Sequence, residues 1–243
     1  MRSPDPDSLF RILDATWPPA RYVEQGPWLL REGKGGGQRV SAATPKTPVL
    51  ETDIDVAETG MADLEQPSIF MIRAEDSALD RWLEQRGYKI VDPVTAYVSR
   101  VETLVADIPP AEIFPVWPPM AVQREIWQRG GIGPARIAVM ERVAGPKTTF
   151  LARNRDIPAG VAFVGIHGDV AMLHALEVQP DQRRTGLGRK LLQGAARWAM
   201  GNGAGWLSLM VTAANTPANR LYQDLAMTPG AGYHYRRLPE GSE

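Results

Sequence analysis

The chain has 243 residues, 44% hydrophobic and 23% charged, which is enough to bury the core of one large or two small domains. Its 27 Lys and Arg nearly balance 28 Asp and Glu, so no general nucleic-acid-binding face is expected. It contains no cysteine, which excludes disulfides, thiolate chemistry and cysteine-ligated zinc. No apolar run reaches the ~20 residues of a membrane span, and no signal-peptide pattern opens the sequence. We therefore expect a cytoplasmic protein with neither a nucleic-acid nor a membrane partner. The three histidines lack metal-ligand spacing, so no metal site is predicted.

The first hundred residues are predicted to alternate helices and short strands. Apolar residues recur at helical spacing over 8–17, until two prolines end the pattern. The glycine-rich run 33–37 lacks the Lys-Ser/Thr pair and the apolar helix that follow a phosphate loop, and it is predicted to be a hairpin tip. The other predicted elements are strands over 28–31 and 39–43, a helix over 53–64, a strand over 68–73, a helix over 77–88 and a strand over 89–104.

A proline-dense segment, residues 108–119, is predicted to link two domains that span residues 1–107 and 120–243. The predicted succession of strands and helices indicates an α/β fold with a sheet of mixed direction. The second domain is predicted to contain a helix over 120–129, strands over 135–143, 148–154, 157–166 and 170–178, a helix from 186, a strand over 206–211, a helix from 215 and a strand over 233–238.

The turn between the strand over 170–178 and the following helix is suited to bind a diphosphate. The first turn of a helix has unpaired N–H groups and the positive end of the dipole, and glycines let the backbone approach an anion closely. An ordinary strand-to-helix turn is the alternative interpretation. The residues that favour the anion site are Gly186 and Gly188, with charge from Arg183, Arg184, Arg189 and Lys190.

Two motifs in this region resemble those of one family. The spacing R-x-x-G-x-G over 183–188 is similar to the acyl-CoA pyrophosphate motif, R/Q-x-x-G-x-G/A, of the GNAT superfamily of N-acetyltransferases. The sequence N-x-x-A-x-x-L-Y over 215–222 is similar to a second signature of that superfamily, and it follows in the expected order. The resemblance covers roughly residues 136–238 and departs from the pattern at 226–227, where Ala-Met replaces the usual Gly-Phe.

The resemblance implies a GNAT fold in the C-terminal domain and an N-acetyltransferase that transfers an acetyl (acyl) group from acetyl-CoA to a primary amine by direct attack. A catalytically silent acyl-CoA sensor or interaction protein is the alternative. By resemblance, the pantetheine arm pairs with the strand ending at Val178, whose N–H polarises the thioester carbonyl, and Tyr222 is the general acid. The residues expected to bind the coenzyme are Leu176, Val178, Arg183, Arg184, Thr185, Gly186, Leu187, Gly188, Arg189, Asn215 and Ala218. Simple packing is the alternative role for Tyr222, and a helix N-cap is the alternative for Asn215.

The general base is sought on the strand over 170–178, where the resemblance implies it lies. His174 suits proton relay near neutral pH, although a core histidine is the alternative, and Glu177 is the competing carboxylate. Ordered water is a third possibility. A bulge of the kind common in the superfamily would change the face of Glu177. Without a bulge, strand alternation places Met172, His174, Leu176 and Val178 on one face and Leu173, Ala175 and Glu177 on the other.

The N-terminal domain resembles a smaller, degenerate GNAT-like α/β domain, which implies a tandem arrangement. Its strand over 68–73, its helix and the pair Gly87-Tyr88 echo the end of the GNAT pattern, but Leu83 stands where the C-terminal half has Tyr222. An unrelated α/β domain is the alternative. A tandem transferase that uses a tRNA donor is disfavoured by the near-neutral charge.

No motif identifies the amine acceptor, which is expected to be a small molecule or a peptide, and no motif identifies the oligomeric state. Aromatic candidates for an acceptor pocket, or alternatively for the core, are Trp117, Trp127, Tyr233 and Tyr235.

Overall fold

A computed structural model describes residues 3–109 and 111–239. The outermost residues of the two predicted domains, 1–2 and 240–243, and Pro110 of the predicted linker lie outside the described residues. The chain packs as two compact units, each assembled from separate segments. Unit 1 contains the residues up to Pro18 with 96–211 and 215–231, and unit 2 contains 19–95, 212–214 and the residues from 232 onward.

The described elements alternate helices and strands along the chain, as expected. In order they are α1 (Pro6–Thr16), β1 (Arg21–Gln25), β2 (Trp28–Glu32), β3 (Thr44–Pro45), α2 (Ile54–Asp63), β4 (Ile69–Arg73), α3 (Ser77–Gln85), β5 (Lys89–Arg100), α4 (Val101–Leu104), β6 (Ile113–Val116), α5 (Ala121–Arg129), α6 (Pro134–Arg142), β7 (Lys147–Asn154), β8 (Ile157–His167), β9 (Val170–Val178), α7 (Leu187–Gly201), β10 (Trp206–Thr212), α8 (Thr216–Asp224) and β11 (Thr228–Arg237).

Unit 1 is built on a sheet of order β11-β5-β10-β9-β8-β7-β6. Strands β9 and β10 are parallel, whereas β6–β7, β7–β8 and β8–β9 are antiparallel, so the sheet is mixed as predicted. Helix α7 covers one face with α4. Helices α1 and α5 pack against β8 and β9 on the other face, where Phe163 and Thr149 point.

Helix α7 forms because its apolar residues recur at a period of 3.6 and cover one side only. It begins after Gly186, whose φ is +83°, and it ends before Gly203, whose φ is +84°. Glycine adopts this left-handed conformation without steric cost. The residues of α7 buried against the sheet are Leu187, Leu191, Leu192, Ala195, Ala196 and Ala199.

Unit 2 contains a three-stranded sheet and strand β4, which is the end strand of the large sheet. Strands β1, β2 and β3 form an antiparallel sheet in that order. Strand β4 pairs antiparallel with the C-terminal strand β11, from Arg73↔Tyr233 to Ile69↔Arg237, and β5 lies on the other side of β11. Helices α2 and α3 bury apolar residues against Trp28 and Phe70. The predicted mixed α/β fold with an N-terminal sheet domain is confirmed.

Helix α1 belongs to unit 1, although it lies within residues 1–107, the predicted N-terminal domain. The side chain of Asp5 caps its first turn. At its last turn, the Thr16 hydroxyl donates to the carbonyl of Ile12 at 2.7 Å. Since that hydroxyl has one proton, it accepts from Nε2 of His174 at 2.9 Å. The ring of Trp17 stacks on His174 with centroids 4.9 Å apart. Side-chain contacts therefore attach α1 to β9, although the two contacting residues are 158 positions apart in the sequence.

The segment 108–119, predicted as a linker, contributes an edge strand to the sheet of unit 1. Strand β6 pairs with β7 from Ile113↔Ala152 to Val116↔Thr149. Only one side of an edge strand forms hydrogen bonds to a neighbouring strand. Proline, which has no N–H, is therefore tolerated in such a strand. The proline content of this segment suggested a boundary between two domains, but the units do not divide there.

Two predicted strands have other structures. Residues 135–143 lie largely in helix α6, which begins at Pro134 and buries Ile137 and Met140 three positions apart. The segment 39–43 begins as a 3-10 turn, Gln38–Val40. Both are short apolar runs, whose periodicity does not distinguish a strand from one or two helical turns. Within the described residues no helix is long and apolar enough to cross a membrane.

We expect Thr16→Val to lower the free energy of unfolding by about 1–3 kcal/mol, because it removes a buried hydroxyl that holds α1 to β9. The matched control is Thr59→Val, whose hydroxyl makes the same bond to a carbonyl four residues back, at 2.8 Å, on the exposed side of α2. The control should stay within about 0.5 kcal/mol of the parent. Urea unfolding measures both, and equal losses would contradict a special role of Thr16.

Candidate functional site

Strand β9 carries a bulge. Between the pairs His174↔Phe163 and Glu177↔Val161, two residues of β9 lie opposite one residue of β8. The first of the two, Ala175, has a φ of +50°, a conformation that an L-residue adopts with strain. The bulge considered in the sequence analysis is therefore present, and it inserts one residue into the alternation of the strand.

The bulge changes which residues share a face. His174 points to α1, whereas Leu176 and Val178 pack against the apolar cluster under α7. Glu177 points to α5, where its carboxyl group lies beside Gly130. The predicted alternation, which placed Leu176 and Val178 with His174, is wrong because it assumed an unbulged strand.

Beyond the bulge, β9 has a free edge. The parallel pairing of β9 with β10 ends at Leu173↔Leu209, although both strands continue. The N–H of Gln179 donates to the carbonyl of Ala159 on β8 at 2.9 Å. Because backbone groups alternate along a strand, the N–H and C=O of Val178 point to the opposite edge, where β10 no longer pairs. The Val178 carbonyl accepts from Arg183, so the Val178 N–H is the group that this edge offers to an extended ligand with amide groups.

The loop before α7 presents a run of backbone donors. No N–H group from Arg184 to Gly188 donates a hydrogen bond to any residue that the structure describes. Arg184 and Gly186 have φ values of +62° and +83°, and alternation of this kind turns successive N–H groups toward one anion. A Cβ added at Gly186 would meet nothing within 4 Å. The side chains of Arg184 and Arg189 form no ion pair with a described residue and add positive charge.

The other two cations near the loop have partners. The Nε of Arg183 donates to the carbonyl of Val178 at 3.0 Å, and its Nη2 lies 3.1 Å from Oε1 of Glu177. The Nζ of Lys190 lies 2.5 Å from Oε2 of Glu112. Arg183 therefore connects the end of β9 with the candidate base. Thr185 donates its hydroxyl within the turn, to Gln182, and Leu187 is buried.

The two sequence motifs meet at the start of α7. A Cβ added at Gly188 would lie 3.3 Å from Leu221 of α8, so glycine permits the two helices to approach. Asn215 is the N-cap of α8, and its Oδ1 accepts from the N–H of Ala218 at 3.2 Å. The N-cap interpretation of Asn215 therefore has a direct contact in its favour.

Tyr222 lies in the apolar cluster under α7, together with Leu176 and Val178. Its ring centroid is 5.5 Å from that of Tyr97. Burial, and to a smaller extent the neighbouring Tyr97, raises the pKa of Tyr222 to about 12. Its hydroxyl makes no hydrogen bond to a described residue. The phenol thus keeps its proton at neutral pH and has it available for donation.

The two candidate bases differ in access. The His174 side chain is enclosed by α1, with 4% of the residue exposed. The side chain of Glu177 is 19% exposed and lies at the end of β9 near the loop. Trp127, a candidate for the acceptor pocket or for the core, is fully buried, and its indole Nε1 donates to the carbonyl of Ala175 at 2.7 Å. No periodicity or motif signals such a bond.

Several known proteins share the fold of this chain. Residues 112–227 match the model of the acetyltransferase (GNAT) family. No curated protein matches the sequence. The chain is similar to a solved GCN5-related N-acetyltransferase from Kribbella flavida, with 19% identity, a TM-score of 0.74 and coverage of 97% of this chain and 96% of that one. It is also similar to a tandem GNAT protein from the clavulanic acid biosynthesis pathway, with 12% identity, a TM-score of 0.61 and coverage of 100% and 90%. A putative GNAT-family acetyltransferase from Novosphingobium aromaticivorans has 14% identity, a TM-score of 0.55 and coverage of 88% and 89%. The similarities of structure extend over the whole chain and concern its fold.

The raised pKa of Tyr222 predicts a pH dependence of stability. Folding favours the protonated phenol, so this contribution is complete below pH ~10, the unfolded pKa, and is lost as the pH rises toward about 12. The variant Tyr222→Phe has no phenol at this position, so its stability lacks this pH-dependent contribution. Between pH 9 and 11.5, the free energy of unfolding should fall more steeply in the parent than in this variant, by roughly 2 kcal/mol. Parallel curves in urea titrations would contradict the prediction.

Proposed function

Residues 112–227 form an acetyltransferase domain of the GNAT family, and on that premise we propose that the protein transfers an acetyl (acyl) group from acetyl-CoA to a primary amine. The observation that carries the proposal is the run of unsatisfied N–H groups from Arg184 to Gly188 at the start of α7. A helix N-terminus preceded by such a loop favours a diphosphate.

Three features of the chain would suit an acyl-CoA. The loop donors and the side chains of Arg184 and Arg189 would hold the diphosphate. The free edge of β9 would pair with the amides of the pantetheine arm, as an added strand does. Gly188 lets the starts of α7 and α8 approach closely beside this path, and Ala218 in the first turn of α8 is also small.

Three groups of unit 1 would share the chemistry. When bound, acetyl-CoA supplies an activated thioester. Transfer of its acetyl group to the amine forms an N–C bond and breaks the C–S bond. The Val178 N–H would donate to the carbonyl oxygen, on which negative charge develops. Glu177 would accept the proton that the amine loses, and Tyr222 would give its proton to the departing sulfur. The proton count balances, because one proton is taken from nitrogen and one is delivered to sulfur.

We assign the base to Glu177 rather than to His174. His174 donates from Nε2 to Thr16 and stacks on Trp17, which encloses it on the α1 face. Glu177 is partly exposed and lies on the α5 face, whereas Tyr222 lies with the α7 cluster. Base and acid on opposite faces of β9 let the amine approach from one side while the thiol leaves on the other.

The coenzyme part of the proposal is tested with two matched glycines. Gly186 and Gly203 have nearly equal positive φ values, and a Cβ added at either meets nothing within 4 Å. Alanine at each position should therefore cost a similar stability, about 1 kcal/mol. Only Gly186→Ala should also weaken acetyl-CoA binding, by roughly 10-fold, because it distorts the donor loop. Calorimetric titration measures the affinities. No binding to the parent protein would remove the basis of the proposal.

Transfer is tested with a panel of small-molecule and peptide amines, by detecting the thiol released from acetyl-CoA. The chain has no cysteine, so a thiol reagent meets no background from the protein. With any amine that reacts, Glu177→Gln should lower kcat by about 100- to 10,000-fold, and Tyr222→Phe by a similar factor. The control Glu141→Gln removes a half-exposed carboxylate paired with Arg124 at 3.3 Å and should be silent.

The same measurement separates the alternatives. A parent rate in Glu177→Gln would return the role of base to His174 or to water. Binding of acetyl-CoA without transfer to any amine, unaffected by Tyr222→Phe, would instead indicate a coenzyme sensor. The amine acceptor, the cytoplasmic location and the descent of unit 2 from a second GNAT domain stay predictions.

A further inference from the structure

We propose that Trp127 is a positioning residue for acyl transfer: its indole N–H holds the bulge of β9 and thereby aims the Val178 N–H at the thioester. This inference rests on the proposed function. Trp127 touches none of the reacting groups itself. It acts through the carbonyl of Ala175, to which its Nε1 donates at 2.7 Å.

The bulge needs support because its backbone is strained. Ala175 has a φ of +50°, which non-glycine residues adopt only when surrounding structure holds them there. The register of β8 and β9 skips at this point, so Ala175 is outside the regular ladder. The bond from Trp127 satisfies its carbonyl on the α5 side. A single side chain thus stabilises the residue that the ladder does not.

Trp127 is well placed for this task because its helix is fixed at both ends. The residue is fully buried in the last turn of α5. In the first turn, Gln123 is also fully buried, and its Nε2 donates to Oγ1 of Thr149 on β7 at 3.0 Å. Its Oε1 accepts from the N–H of Met120 at 2.8 Å, which caps the helix. Helix α5 is therefore fixed to β7 at its first turn and contacts the bulge of β9 from its last turn.

The bulge decides where the backbone donors of β9 point. With one extra residue, Val178 faces the free edge and Glu177 faces α5. If the bulge relaxed by one residue, the alternation beyond it would reverse, and the Val178 N–H would turn toward β8. The contacts of Arg183 with the end of β9 would be lost, but Gln182 would still hold the loop 184–188, because its side chain accepts from Asn154 on β7 and its carbonyl from the Thr185 hydroxyl. Loss of the indole N–H should therefore affect the reacting centre and spare diphosphate binding.

The test compares two tryptophans that make the same bond. Trp28 is also fully buried, and its Nε1 donates to the carbonyl of Asp53 at 2.7 Å in unit 2. Replacement by Phe removes the N–H from each while keeping a ring. Trp127→Phe should lower kcat by about 10- to 100-fold and change the KM for acetyl-CoA by less than about twofold. Trp28→Phe should lose similar thermal stability and keep the parent kcat.

A second readout does not need turnover. The infrared carbonyl stretch of bound, 13C-labelled acetyl-CoA should shift to lower frequency in the parent and in Trp28→Phe, and return toward the free value in Trp127→Phe. Adding Ala175→Gly to Trp127→Phe should restore part of kcat, because glycine adopts the positive φ without support. The double variant also serves if Trp127→Phe alone folds poorly.

The outcomes separate this inference from the proposed function. If the parent protein does not bind acetyl-CoA, the proposed function fails. If it binds and transfers, but Trp127→Phe keeps the parent kcat and carbonyl frequency, Trp127 only packs and this inference fails. Equal losses of kcat in the Trp127 and Trp28 variants, without rescue by Ala175→Gly, would also overturn it.

Discussion

One extra residue in strand β9 determines the arrangement of the site. Side chains alternate between the two faces of a strand, and backbone groups alternate between its two edges. Inserting Ala175 therefore reverses the face and the edge of every later residue of β9. Leu176 and Val178 join the apolar cluster with Tyr222, while Glu177 points to α5. The same insertion puts the Val178 backbone groups on the edge that β10 has left. Side-chain chemistry and backbone chemistry are therefore set by a single local feature.

The site combines this strand with a loop that has its own rigidity. The left-handed residues of the loop before α7 orient its donors, the Thr185 hydroxyl closes the turn on Gln182, and the buried face of α7 fixes the helix on the sheet. Arg183 joins the two parts, since it contacts the carbonyl of Val178 and the carboxylate of Glu177. Apart from Arg183, the loop and the strand are supported by different contacts, so each is open to separate perturbation.

Much of the fold was predictable, because long periodic segments such as α7 and motifs with fixed spacing depend on local sequence. The left-handed turn at Gly186 and the cap at Asn215 are of this kind. Other features depend on distant partners. The helix over Pro134–Arg142 and the strand Ile113–Val116 come from short apolar or proline-rich runs that only tertiary packing resolves. The indole bond of Trp127 to the bulge joins residues 48 apart and leaves no local signal.

The assembly of the units from separate segments has a consequence for biosynthesis. Thr16 and His174 are 158 residues apart, and β4 completes its pairing only with β11, near the end of the described chain. A nascent polypeptide emerges from the ribosome amino-terminal end first, so α1 and β4 emerge long before the residues of β9 and β11 that they contact. Helix α1 and strand β4 must wait with apolar surface exposed. Cellular folding of these early segments is therefore expected to be delayed until their late partners emerge, and to benefit from chaperones that shield apolar surface in the interval.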